Sequence, residues 1–165
     1  MKRYHANVIA SRSHDIAHML KSNSPEREKR DELREEMAYF AAQIRAASAL
    51  RLPLVYAVLR REQPLVKIGT SVILPNPHGS HPGRLARFGA GDSVRLVAVC
   101  HGDRHVERDV HERLSDYRVT ADLQGDGITE HFRICDEVVE WINETRESTG
   151  LHAMSAEELL AYSVR

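Results

Sequence analysis

The stretch that decides the reading is VYAVLRREQPLVKIGTS, residues 55–71. Two apolar runs flank a polar break at Arg60–Pro64. That pattern predicts paired antiparallel strands over Leu54–Leu59 and Leu65–Gly69. Each arm carries one residue out of keeping: Tyr56 among valines on the first, and Lys67 just before Ile68-Gly69 on the second. Side chains facing the same way on adjacent strands lie about 5 Å apart, so a phenol and an ammonium can share one rigid floor. Gly69 marks either a strand end where the chain turns sharply or a point where the backbone must approach a phosphate closely.

Working outward, Pro53 separates this hairpin from a helical arm. Ser24-Pro25-Glu26 supplies a capping hydroxyl, Pro at the first helical position and an acid in the first turn. Leu33, Met37, Phe40, Ile44 and Ala47 then repeat at helical spacing through about Leu50. The stripe is a candidate homodimer seam over residues 26–50, although packing on the same chain is the commoner use of so short a repeat. Downstream, residues 74–83 form a Pro- and Gly-rich loop, and Arg84–Phe88 a short helix. Ser93–Cys100 is the third strand, and a helix runs from about Arg104 to Tyr117 with Val106, Val110 and Leu114 on its core face. Ile128–Ile134 is a short extended piece, Asp136–Glu147 a helix, and Ser155 with Glu158 a capping box that opens a last short helix. The fold class expected is α+β, a three-stranded antiparallel sheet flanked by helices and preceded by the arm. The division expected is an arm at 1–52, a main domain at 53–148 and a C-terminal helix at 149–165.

Composition narrows the class of protein. The chain has 165 residues, 42% of them apolar, enough to bury a core without staples. No apolar run approaches the roughly 18–20 residues that cross a bilayer, and the first fifteen residues do not read as a signal peptide. The two cysteines, Cys100 and Cys135, sit in apolar runs, as buried thiols in a reducing, cytoplasmic setting do. Residues 51–113 hold ten Lys and Arg against six acids, whereas 114–165 hold four against eleven. A basic middle can place a polyanion on one face, and ordinary surface sorting of charge produces the same asymmetry.

The ordered set of motifs over residues 53–142 resembles the GIY-YIG nuclease superfamily, in its phage and bacterial branch where the second element reads KIG. The residues that carry the likeness are LVY at 54–56, KIG at 67–69, RLARF at 84–88, ERDVHERL at 107–114, and EHF at 130–132, where that branch often has Glu-Trp-Phe. The resemblance implies a metal-dependent DNA endonuclease. Tyr56, Lys67, Arg84 and Glu107 would be catalytic, with Glu107 as the ligand of Mg²⁺ (or Mn²⁺). It implies that Tyr56 orients or deprotonates the attacking water, and an ordinary tyrosine, with a pKa of about 10, needs neighbouring cations for that. Lys67 stands where the broader family has a second tyrosine, so it would stabilise phosphate charge or hold Tyr56 as phenolate.

Arg84 and Arg87 lie one turn apart, and a guanidinium fork suits a phosphate. Arg84 matches the family's active-site arginine better, and Arg87 is a candidate for a neighbouring phosphate. Glu107 and His111 share a helix face at i, i+4. A single carboxylate with open coordination suits Mg²⁺, which keeps most of its waters. His111, Gly69 and His131 are further candidates for nucleic-acid contact. His111 has positioning and proton shuttling as other roles, and His131 either stacks on a base or packs.

Three other readings stay open. A protein with the same fold could bind DNA or regulate without turnover, or residues 1–50 could be the active part of an interaction factor. His78, His81, Cys100, His101 and His105 form a rival zinc set, scattered over loops without the regular spacing of zinc sites. The arm's Arg12, Lys21, Arg27, Lys29 and Arg30 are candidate contacts to a DNA backbone, interleaved with acids.

Overall fold

The computed structural model describes residues 25–61, 63–71, 94–119 and 131–164. The chain divides into two compact units, Met1–Ala38 and Tyr39–Arg165. The break falls inside the helix α1, Pro25–Leu50, and not at residue 52. In the second unit Phe40, Ile44 and Ala47 of α1 are buried, whereas Leu33, in the first, is 36% exposed. The stripe read as one seam is therefore used by the chain itself over its second half. The Tyr39 hydroxyl donates to the Thr149 carbonyl at 2.6 Å, anchoring that half to the end of a later helix. Arg51 closes α1 at φ 57°. Its amide bonds Ser48 and the Leu52 amide bonds Ala47, a left-handed helix end that glycine normally fills.

The strands β1 (Leu54–Arg60), β2 (Gln63–Ser71), β3 (Val94–His101) and β4 (His131–Arg133) form one antiparallel sheet in the order β3-β1-β2-β4. The fold is α+β as expected, and the sheet has four strands where the sequence indicates three. The extra strand is the extended piece near Ile134. Its three residues pair with Leu65–Lys67 of β2, and so short a segment carries no alternation to announce itself. β1 is central and buried on both faces, which is why its sequence reads as a continuous apolar run. Arg60 pairs with Gln63, and the register shift beside it lets Pro64 sit before the first β4 pair, where no backbone N–H is needed.

The helices α2 (Arg104–Arg113), α3 (Asp136–Ser148) and α4 (Ala156–Val164) contribute Val110, Leu114, Val138, Trp141, Ile142 and Leu159 to the main core. From the sheet that core takes Val55, Ala57, Leu59, Val66, Ile68 and Phe132, which alternation puts on one face. Leu54, Tyr56, Val58, Leu96 and Val99, on the other face, are buried as well. The C-terminal helix thus belongs to the main unit, and the capping box at its start forms: the Ser155 amide donates to Glu158 at 2.8 Å and the Glu158 amide to Ser155 Oγ at 3.1 Å.

A bulge in β3 explains one buried charge. Ala57 pairs with Ala98 but Val58 with Leu96, so Val97 has no partner in that ladder. Arg146 of α3, 3% exposed, donates Nη1 to the Val97 carbonyl at 2.8 Å and Nε to the His152 carbonyl at 2.6 Å. The guanidinium supplies the hydrogen bond that the bulge takes away.

Candidate functional site

The site residues within the described part of the chain gather on four consecutive residues of β2, Lys67 to Thr70. Tyr56 is directly opposite Gly69 in the β1–β2 ladder. A side chain built on Gly69 would begin 3.0 Å from the Tyr56 hydroxyl oxygen and 3.2 Å from the ring carbon bearing it. The tip of the phenol therefore rests on the Gly69 backbone, and a Cβ there would fit only if the ring or the strand gave way by a few tenths of an ångström. Gly69 is itself buried, and the group that approaches it is the Tyr56 phenol.

Lys67 lies two residues before Gly69, so it and Tyr56 are diagonal neighbours on the same sheet face. The shared floor expected for the phenol and the ammonium follows from this register. Lys67 also pairs with His131 of β4. His131 is fully buried, at 0% exposure, so its ring packs within the fold. Beside it Phe132 lies on the core face, with the His111 ring 5.1 Å away and the Arg118 guanidinium 5.8 Å from its centre.

Glu107 and His111 reach β2 from α2. This helix starts where Asp103 accepts from the amides of His105 at 2.8 Å and Val106 at 3.3 Å. Those two bonds hold the Asp103 carboxyl below its ordinary pKa. One turn on, Glu107 accepts a hydrogen bond from the Thr70 hydroxyl. One turn further, His111 Nε2 lies 3.0 Å from the Ile68 carbonyl. A carbonyl only accepts, so Nε2 carries the proton. Ile68 is one residue past Lys67, which pairs with His131, and its carbonyl accepts from His111. With Nε2 on the backbone and its face against Phe132, His111 acts as a clamp between α2 and β2.

The two halves of the site come from opposite sides of the sheet. Thr70 is opposite Val55, a core residue, so its side chain shares the face that α2 covers. Tyr56 and Lys67 are on the other face. Phenol and carboxylate thus meet β2 at neighbouring residues, Gly69 and Thr70, rather than on one floor. Among the described residues β4 pairs with β2 only over Leu65–Lys67.

Arg84, Arg87, His78, His81 and Glu130, and the arm's Arg12 and Lys21, lie outside the described residues. Arg27, Lys29 and Arg30 are exposed on α1, and Arg27 pairs with Asp31 at 3.8 Å. Among the described residues no group of three or more His, Cys, Asp or Glu side chains could hold a metal ion. Cys100, His101 and His105 therefore make no zinc cluster there. Glu107 is half-buried, and one of its oxygens is taken by Thr70. A single carboxylate of this kind fits Mg²⁺ or Mn²⁺ retaining most of its waters, and no ion that needs a full protein cage. Thr70 escapes sequence reading because one hydroxyl after a glycine has no period; its one signal is its place at the strand end.

Comparison of the chain with protein-family models, with curated proteins and with solved structures gives no match. Among the described residues no helix is long and apolar enough to cross a membrane.

Proposed function

We propose that the chain is a metal-dependent endonuclease that hydrolyses phosphodiester bonds in DNA through a GIY-YIG-like site. The observation that carries this reading is the gathering of Tyr56, His111 and Glu107 onto residues 68–70 of one strand, with Lys67 next to them. Those residues are the ones in which the sequence resembles that superfamily, and they are separated by up to 55 positions in the chain.

In this reading Tyr56 orients the attacking water or takes its proton, held at a fixed height by the glycine beneath it. Lys67, on the same face, stabilises the phenolate or the phosphate charge. Arg84, helped by Arg87 or Lys67, clamps the phosphoryl oxygens. Glu107 holds Mg²⁺ or Mn²⁺, and such an ion when bound supplies neutralisation of charge at the phosphorus and the leaving oxygen. His111 keeps the carboxylate helix in register with the strand.

Supercoiled plasmid with Mg²⁺ tests the reading. The wild-type chain cuts it, and Glu107→Ala abolishes cutting while leaving a salt-dependent shift of DNA in a gel. A shift without cutting in any divalent metal would instead establish a DNA-binding protein without turnover. The observation favouring that second reading is that Tyr56 and Glu107 approach β2 from opposite faces, with Tyr56 only 7% exposed. A second copy seated on the first half of α1, where Leu33 is exposed, would supply two sites for a double-strand cut, and sedimentation at increasing concentration tests it.

A further inference from the structure

We infer that Thr70 is a positioning residue for Glu107, the hydroxyl that fixes how the metal-binding carboxylate is presented. The inference rests on the nuclease reading and adds a residue to its site. Thr70 Oγ1 donates to Glu107 Oε2, so one oxygen of the carboxylate has a fixed partner and the other is left for an ion. Threonine suits this task because its branched Cβ leaves few χ1 states, and a strand backbone restricts them further. A free glutamate on an exposed helix would sample many rotamers, most of them useless to an ion that takes one or two protein oxygens.

The mount for this bond is rigid at both ends. On the strand side, Thr70 is paired with Val55 of the central strand. On the helix side, His111 donates to the Ile68 carbonyl one turn after Glu107, and Val110 is buried in the core between them. A side chain on Gly102 would meet Val106 and Val55 at 3.0 Å, so the start of α2 is in close packing with β1 as well. The helix is therefore held in place without Thr70. What the hydroxyl adds is the orientation of one carboxylate, and removing it does not release the helix.

Partners that orient a metal ligand typically change metal affinity or activity about 10- to 100-fold when removed. The test compares wild type with Thr70→Val, which keeps the shape and removes the donor, and Thr70→Ser, which keeps the donor. Three quantities are read: the plasmid-cutting rate in Mg²⁺ with its dependence on DNA concentration, the binding of Mn²⁺ alone followed by its EPR signal, and the urea midpoint. Thr70→Val is expected to lower kcat and weaken Mn²⁺ binding, each about 10- to 100-fold. KM for DNA and the urea midpoint stay near wild type, and Thr70→Ser recovers most of the loss. If Thr70→Val binds Mn²⁺ and cuts as wild type does, or Thr70→Ser is impaired equally, the inference fails and the nuclease reading stands. If the wild-type chain neither binds Mn²⁺ nor cuts, the nuclease reading fails and takes this inference with it.

Discussion

Gly69→Ala tests the contact on which the site is built. Gly69 is in extended strand backbone, with no positive φ to make alanine costly. The substitution therefore acts through the added methyl alone. That methyl would sit 3.0 Å from the Tyr56 hydroxyl and 3.2 Å from the adjacent ring carbon, distances that force the ring or the strand to shift. Such overpacking costs about 1–3 kcal/mol. Against it stands about 0.4–1 kcal/mol gained because alanine loses less chain entropy on folding than glycine. The net effect is a destabilisation of about 1–2 kcal/mol. In a Tyr56→Val background the ring is gone, only the gain survives, and Gly69→Ala becomes stabilising by about 0.5 kcal/mol. Urea unfolding of the four proteins in this double-mutant cycle gives an expected coupling of about 2 kcal/mol. Additive effects, or a Gly69→Ala that is neutral with Tyr56 present, would refute the placement of the phenol on Gly69.

Other changes follow from the same geometry. Arg51→Gly relieves a left-handed backbone held by a non-glycine residue and should stabilise by about 1 kcal/mol, read as a raised urea midpoint. Arg146→Met leaves the Val97 and His152 carbonyls without their donor and should cost about 2–4 kcal/mol, whereas Arg113→Ala, which breaks a partly exposed pair with Glu144, should cost under about 1 kcal/mol. Asp103→Ala removes the cap of α2, and because the folded state depresses the pKa of this carboxyl, its contribution is fully present above its unfolded pKa of about 3.9 and is lost as pH falls through the lower folded value. Wild type and Asp103→Ala should therefore differ in urea midpoint at neutral pH and converge in acid; a difference independent of pH would contradict the capping role.

Much of the frame was legible because its signals are local. The start of α1 at Pro25, the hairpin around Arg60–Gln63, and the box at Ser155 each rest on residue types within a few positions of one another. The parity of Tyr56 and Lys67 was legible for the same reason, since the strands are joined by a short turn. What was hidden depends on tertiary register. Nothing in ERDVHERL states which sheet face the helix covers, and that face is what separates Glu107 from Tyr56. His111 is a candidate for a phosphate in the sequence, and nothing local in ERDVHERL shows that it binds the Ile68 carbonyl of β2 instead. His131 was in the right motif, but three residues of strand give no pattern to show that its side chain is buried. Nothing local marks Arg146 as buried, because its partner is the Val97 carbonyl at a bulge 49 residues away.

The central claim of the proposed function is that Glu107, beside Thr70 of β2, holds the ion that meets DNA. Crystals of the chain with a short DNA duplex and Mn²⁺ test it through the anomalous signal of the metal. The account predicts a manganese peak on the Glu107 carboxylate, with a backbone phosphate of the duplex at that ion. A duplex bound with its phosphates away from β2, or a metal peak on other side chains with Glu107 bare, would contradict it.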